Sequence, residues 1–252
     1  MKAPVKIREL PLLAIGTGVI CSVLRFLMYS FGTDSRGLMK SPNFLHIACL
    51  AIAFALAVFT GLSLWKAPDS ALRRGKYSSG KQWTAVAILI PVWFLASAFT
   101  SLDQITDRLT LIRAVLSFAV VPCFAVSCWC RIQGKRPLFL LHGIICVFFM
   151  VDMICRYRPW SGNPQLADYT FHLFACIFLV LTTYYLAAAD AGLPSPRMLR
   201  FFALMALFFC TGALIGPEDI KFYLGGVLWA FFSTCPVMPV SRKSQNLPHK
   251  EG

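Results

Sequence analysis

Seven or eight apolar stretches, each about 20 residues long, follow one another through the chain with short loops between them. An α-helix of about 20 residues, at about 1.5 Å per residue, crosses a hydrocarbon core of about 30 Å. The sequence therefore predicts an all-α polytopic transmembrane helix bundle. Eight spans are predicted, at 10–31, 42–65, 83–103, 109–130, 138–157, 168–189, 199–216 and 222–240. The last two are short and nearly adjacent, so seven spans with a re-entrant pair are the alternative architecture.

The composition excludes most soluble classes of protein. Of the 252 residues, 58% are hydrophobic and only 14% are charged, which leaves too much apolar surface for water to solvate. The net charge of +13 comes from basic residues in the loops, where the lipid bilayer is their expected partner. Nucleic acid is not an expected partner. The ten cysteines lie within or at the ends of apolar stretches, which is typical of small core residues.

The distribution of basic residues predicts the orientation. With the N-terminus inside, the cytoplasmic segments carry 16 Lys and Arg residues and the outer loops carry 6. Such a bias over short loops orients a protein with its basic side in the cytoplasm. We therefore expect both termini inside, and the cell (plasma) membrane as the location.

The chain is predicted to form a single integral membrane domain over 1–252, with a short disordered cytoplasmic tail at 241–252. No loop is long enough to fold as a soluble domain. Energy coupling by ATP, or the transmission of a signal, would then require a partner such as a co-encoded ATPase or regulator.

Six ionisable residues within the predicted spans are the candidate ligand-binding site. In the predicted orientation, all of them fall in the extracellular half of the membrane, where buried charge is costly and often functional. A basic pocket of this kind would clamp the carboxylate or phosphate of a small anionic solute. The six residues are Arg25, His46, Arg113, Asp152, Arg156 and His172.

A purely structural interpretation stands beside this hypothesis. Asp152 and Arg156 are four residues apart on one helix and could satisfy each other, while Arg25 could extend its side chain towards the headgroups. His142, in the opposite half of the membrane, is interpreted as a core hydrogen-bonding residue rather than part of a site.

Three functions follow from these features. The first is a small-solute transporter, or the membrane subunit of one, with an outward-facing basic pocket. The second is a membrane sensor or scaffold that acts through a partner protein. The third is a metal-dependent intramembrane hydrolase using His46, His172 and Asp152 or Asp103, although no recognisable ligand spacing supports it. The sequence favours a protein that is not an enzyme, with no cofactor and no metal.

Overall fold

The computed structural model describes residues 9–31, 44–67, 81–160, 169–193, 195–215 and 219–234. In these ranges every long regular element is a helix, so the predicted all-α class is confirmed there. The eight helices are α1 (Leu10–Phe31), α2 (Phe44–Trp65), α3 (Lys81–Leu102), α4 (Arg108–Ile132), α5 (Phe139–Trp160), α6 (Thr170–Asp190), α7 (Pro196–Gly212) and α8 (Ile220–Ser233). The predicted tail at 241–252 lies outside the described residues.

Six of the eight helices, α1 to α6, are long and apolar enough to cross a membrane. This is the feature that a multi-pass membrane protein requires. The other two are shorter: α7 has 17 residues and α8 has 14, which correspond to about 25 Å and about 21 Å of helix.

Helix α7 is the centre of the bundle. It packs against α1, α2, α6 and α8, and it buries 12 of its 17 residues. Helix α8 lies beside it and also packs against α3 and α6, while α3, α4, α5 and α6 pack in sequence around the pair. Helix α2 is peripheral, since only 5 of its 22 residues are buried. Some of its remaining apolar side chains pack partly against the core, while others are exposed, as lipid-facing residues are: Phe44, Ile47, Phe54, Val58, Leu62 and Trp65.

Close packing at the centre depends on glycine. A Cβ atom built on Gly18 of α1 would lie 2.9 Å from the backbone oxygen of Phe208 and 2.8 Å from Cβ of Thr211, both on α7. Small residues of this kind let two membrane helices approach until their backbones touch. The approach brings the following turn of α1, with Ser22 and Arg25, against the end of α7.

Local signals define several helix ends. Asp107 caps α4 by accepting a hydrogen bond from the Thr110 amide, while the Thr110 hydroxyl accepts one from the Asp107 amide, so that two unpaired amides are satisfied. Helices α4 and α6 are followed by Gly134 (φ 71°) and Gly192 (φ 91°), where a side chain would be strained. Pro196 begins α7, a position where its missing amide hydrogen has no cost.

We call the end of the bundle at which α1, α3, α5 and α7 terminate the upper end, and the opposite end the lower end. An ion pair between Arg158 and Asp107 joins the last turn of α5 to the start of α4 at the upper end. Asp219, at the start of α8, accepts hydrogen bonds from Ser97 and Thr100 in the last turns of α3. Consecutive helices therefore run in opposite directions between the two ends.

Candidate functional site

A single carboxylate holds two arginines near the upper end of the bundle. Nε of Arg113, on α4, donates a hydrogen bond of 2.7 Å to Oδ1 of Asp152 on α5. Nε of Arg156, one turn further along α5, donates to the other oxygen, Oδ2, also at 2.7 Å. All three residues are buried, and Arg113 also donates to the side-chain oxygen of Gln104 at 3.1 Å. Each carboxylate oxygen thus serves a different arginine.

Arg25 enters the same end of the bundle from α1. One of its terminal nitrogens donates to the backbone oxygen of Gly212 at 3.0 Å, an oxygen that the end of α7 leaves without a helical partner. The other lies 3.1 Å from Nε2 of His172 on α6 and 3.2 Å from the Tyr29 hydroxyl. The guanidinium also lies over the Phe171 ring, 5.0 Å from its centre. Arg25 is 1% exposed, so it is a buried interior group rather than one that reaches the headgroups.

Two aromatic residues of α8 connect the arginines. The Tyr223 ring centre lies 5.0 Å from that of His172 and 5.7 Å from Cζ of Arg156. The neighbouring Phe222 ring lies beneath Arg156, with 4.5 Å between the ring centre and Cζ. Guanidinium groups bind aromatic faces favourably where water is excluded. Helices α1, α4, α5, α6 and α8 therefore converge on one buried group, the Arg25 cluster: Arg25, Arg113, Asp152, Arg156, His172 and Tyr223.

Five of the six residues predicted as a site from the sequence belong to this cluster. The sixth, His46, lies on α2 and is only partly buried, and it makes no hydrogen bond with another described residue. The charge of Arg25 still acts on it. Asp103 is exposed beyond the end of α3. The pairing of Asp152 with Arg156 was one of the alternatives predicted, but Arg113 on another helix shares the same carboxylate.

Tyr223 and the Gly212 carbonyl are contributors that the sequence did not indicate. A tyrosine in an apolar stretch resembles any core aromatic residue, and a backbone oxygen leaves no trace in a residue pattern. The structure also shows why position 212 is a glycine, because a Cβ there would lie 2.8 Å from the Phe171 ring that supports Arg25.

An aromatic layer lies below the Arg25 cluster. The Phe94 and Phe124 rings stack with 4.2 Å between their centres, and three further phenylalanines meet the Phe94 ring edge-on. We call these five residues the Phe94 layer: Phe94, Phe124, Phe148, Phe149 and Phe222. Phe222 contacts Arg156 on the upper side, and Phe124 contacts Trp229 on the lower side. The layer gives the centre of the bundle a buried, apolar section.

A second polar group, the His142 cluster, lies below that layer. Nε2 of His142 is 2.8 Å from the Ser127 hydroxyl, and Nδ1 is 3.2 Å from Oδ2 of Asp190. Arg131 donates to the same Asp190 oxygen at 2.6 Å, and the His142 ring stacks on Trp229. The hydrogen bond to Ser127 agrees with the interpretation of His142 as a core hydrogen-bonding residue, while Nδ1 lies near Asp190 without forming a hydrogen bond to a described residue.

The placement of Ser127, His142 and Asp190 resembles that of the three catalytic residues of a serine hydrolase. Two observations argue against that chemistry. Ser127 and His142 are both 0% exposed, and Ser127 lies within α4, where the neighbouring amides are committed to the helix and cannot stabilise an oxyanion. The cluster instead joins α4, α5 and α6 at the lower end.

The predicted metal hydrolase has no support in the geometry. In the described ranges, no three His, Cys, Asp or Glu side chains are placed to hold a metal ion together. His172 is bound to Arg25, and Asp152 is committed to two arginines. A cation would face repulsion from these guanidinium groups.

Comparisons of the chain with protein-family models, with curated proteins and with solved structures found no match, so the functional argument rests on the site itself.

Proposed function

We propose that the protein is an eight-span membrane carrier for a small anion, or the membrane subunit of such a carrier, with the Arg25 cluster as its binding site. The observation behind this proposal is the Asp152 carboxylate, held at 2.7 Å by an arginine from each of two helices. Asp152 is itself an anionic group, so its contacts indicate the kind of ligand that these guanidiniums accept. Ionisable groups placed inside a membrane bundle commonly line the path of a substrate.

The contacts at the ends of the short helices support the eight-span part of the proposal. Helices α7 and α8 are too short to be counted with the six long apolar helices, but their end contacts support two further crossings. Asp219 begins α8 beside the last turns of α3, and Thr234 follows its end beside Leu10, the first residue of α1. With the N-terminus in the cytoplasm, as the basic loops indicate, the upper end and the Arg25 cluster face outward.

The proposed binding step is an exchange of carboxylates. Because Arg113 and Arg156 bind different oxygens of Asp152, one arginine can turn to an incoming anion while the other keeps the carboxylate in place. The exchange keeps each buried charge paired, which avoids most of the desolvation cost of an isolated charge. The Phe94 layer blocks passage towards the lower end, so this arrangement corresponds to a carrier closed on the inside.

The test compares two buried arginines. Arg113→Lys keeps the charge but removes the planar donor that binds Asp152, while the matched control Arg131→Lys alters an equally buried pair, Arg131 with Asp190, in the His142 cluster. The full-length protein, purified in detergent, is heated with and without phosphate, sulfate or acetate. We expect one of these anions to raise the melting temperature of the wild type and of Arg131→Lys, and to raise that of Arg113→Lys clearly less.

The same proteins are then reconstituted in vesicles, and uptake of the stabilising anion is measured. Uptake by the chain alone identifies a carrier, whereas uptake only with a co-encoded ATPase identifies a subunit. Binding without uptake under either condition would contradict transport and favour a sensor that acts through a partner. If no anion stabilises the wild type, the proposed site itself is refuted.

A further inference from the structure

The Arg25 cluster contains two arginine centres rather than one. The first joins α1, α6 and α7 through Arg25, His172 and the Gly212 carbonyl. The second joins α4 and α5 through Arg113, Asp152 and Arg156. What they share is the Tyr223 ring of α8, which contacts His172 at 5.0 Å and Arg156 at 5.7 Å, measured from the ring centre.

We infer that the anion is a short dianion, a dicarboxylate with one charged group at each arginine centre and its carbon chain against Tyr223. This inference rests on the proposed function and adds the class of substrate. A single carboxylate or phosphate occupies one centre only, whereas a dicarboxylate gains a charge-assisted contact at both.

The surroundings of the centres fit such a molecule. Each arginine centre is backed by an aromatic face, Phe171 at 5.0 Å from Cζ of Arg25 and Phe222 at 4.5 Å from Cζ of Arg156. These faces hold the guanidinium planes in fixed directions, which favours the planar, two-point contact that a carboxylate makes. Between the centres lies the fully buried Tyr223 ring, so the proposed ligand replaces part of its contacts with His172 and Arg156 and places its methylene groups on the ring.

The length of the dianion follows from the same contacts. His172, which lies 3.1 Å from Arg25, and Arg156 both lie against one tyrosine ring, so we expect the two charged groups of the ligand to be separated by about the width of that ring. Succinate and glutarate have about this reach, whereas malonate is shorter and the long-chain pimelate must fold to fit. We expect affinity to pass through a maximum within this series.

The first measurement uses the wild type alone. The full-length protein in neutral detergent is titrated with malonate, succinate, glutarate and pimelate, and with acetate and butyrate as single-charge controls, while its melting temperature is followed. The proposal expects succinate or glutarate to bind about tenfold to a hundredfold more tightly than butyrate, the gain from a second charge-assisted contact. Equal binding of mono- and dicarboxylates would overturn the dianion while leaving an anion site intact. If no anion binds, both proposals fail.

The second measurement uses one conservative variant at each centre. In Arg25→Lys and in Arg113→Lys, the preference for the dicarboxylate over butyrate should fall to within about threefold, while butyrate still binds at the unaltered centre. The control Arg131→Lys should keep the full preference. A preference that survives in both site variants would refute the two-centre arrangement.

An anionic lipid headgroup is the alternative ligand that would bring negative charge to the Arg25 cluster. Adding phosphatidylglycerol to the neutral detergent distinguishes the two sources. If the lipid abolishes stabilisation by succinate and itself stabilises wild type but not Arg113→Lys, the site belongs to lipid and the dicarboxylate is refuted. Succinate binding that persists in the presence of the lipid supports the proposal.

Discussion

Replacing Asp152 by asparagine removes one negative charge from beneath two buried guanidiniums and changes little else in shape. Asp152 is 1% exposed, and both of its oxygens accept hydrogen bonds of 2.7 Å. A hydrogen bond to a charged group contributes about 1.5–3 kcal/mol, and removing one partner of a buried pair costs about 3–5 kcal/mol. Because Asp152 serves Arg113 and Arg156 together, we expect Asp152→Asn to lower the free energy of unfolding by about 3–5 kcal/mol.

The measurement is a reversible unfolding titration of the full-length protein in mixed micelles. Asp103→Asn is the control, since Asp103 is an exposed carboxylate on the same side of the bundle and its loss should change stability by less than about 0.5 kcal/mol. Arg113→Gln should fall between the two, because Asp152 then keeps Arg156. The reasoning is refuted if Asp152→Asn is as stable as Asp103→Asn, which would mean that water or lipid headgroups solvate the arginines equally well.

Two further predictions concern packing and pH. Gly18→Ala places a Cβ 2.9 Å from a backbone oxygen of α7 and should lower the free energy of unfolding by about 1–3 kcal/mol in the same titration. Gly16→Ala, with nothing within 4 Å of the added atom, should leave it unchanged or raise it by up to about 1 kcal/mol, because alanine favours a helix over glycine. Equal effects of the two changes would disprove the close contact. Hydrogen bonds from the Thr110 amide and hydroxyl, with the nearby Arg158, hold the pKa of Asp107 below its ordinary 3.8. A lowered carboxyl pKa stabilises the fold above pH 3.8 and loses its effect as the pH falls through the folded value. The melting temperature of Asp107→Ala should therefore lie below that of the wild type at neutral pH and approach it in acid, and a pH-independent gap would contradict the assignment.

The hydropathy pattern predicted the bounds of the long helices closely, because the thickness of a bilayer sets the length of a helix that crosses it. The predicted span at 10–31 coincides with α1, and the spans at 42–65 and 109–130 differ from α2 and α4 by two residues or fewer at each end. The largest differences occur at α8, predicted at 222–240 and found as Ile220–Ser233, and at α7, predicted at 199–216 and found as Pro196–Gly212. Apolar character begins only after Arg197, whereas the helix begins at Pro196 because proline suits a first turn.

The candidate site was predicted only in part, for a related physical reason. A charged residue within an apolar stretch can be recognised from the sequence alone, so Arg25, Arg113 and Asp152 could be predicted as buried charges. Their partners depend on which helices are neighbours, and hydropathy carries no information about helix order around a bundle. The shared use of Asp152 by α4 and α5, and the contact of Arg25 with the end of α7, could not be read from the residues.

The sequence by itself determined the all-helical class, the approximate lengths of the long helices and the set of costly ionisable residues, since each depends only on transfer free energies along the chain. The tertiary structure decided that α7 lies at the centre, that His46 lies outside the Arg25 cluster and that Tyr223 lies within it. It also separated that cluster from the His142 cluster by the Phe94 layer. These features arise from close packing at particular glycines and from interhelical hydrogen bonds. Such contacts depend on three-dimensional neighbours, and hydropathy along one helix cannot specify them.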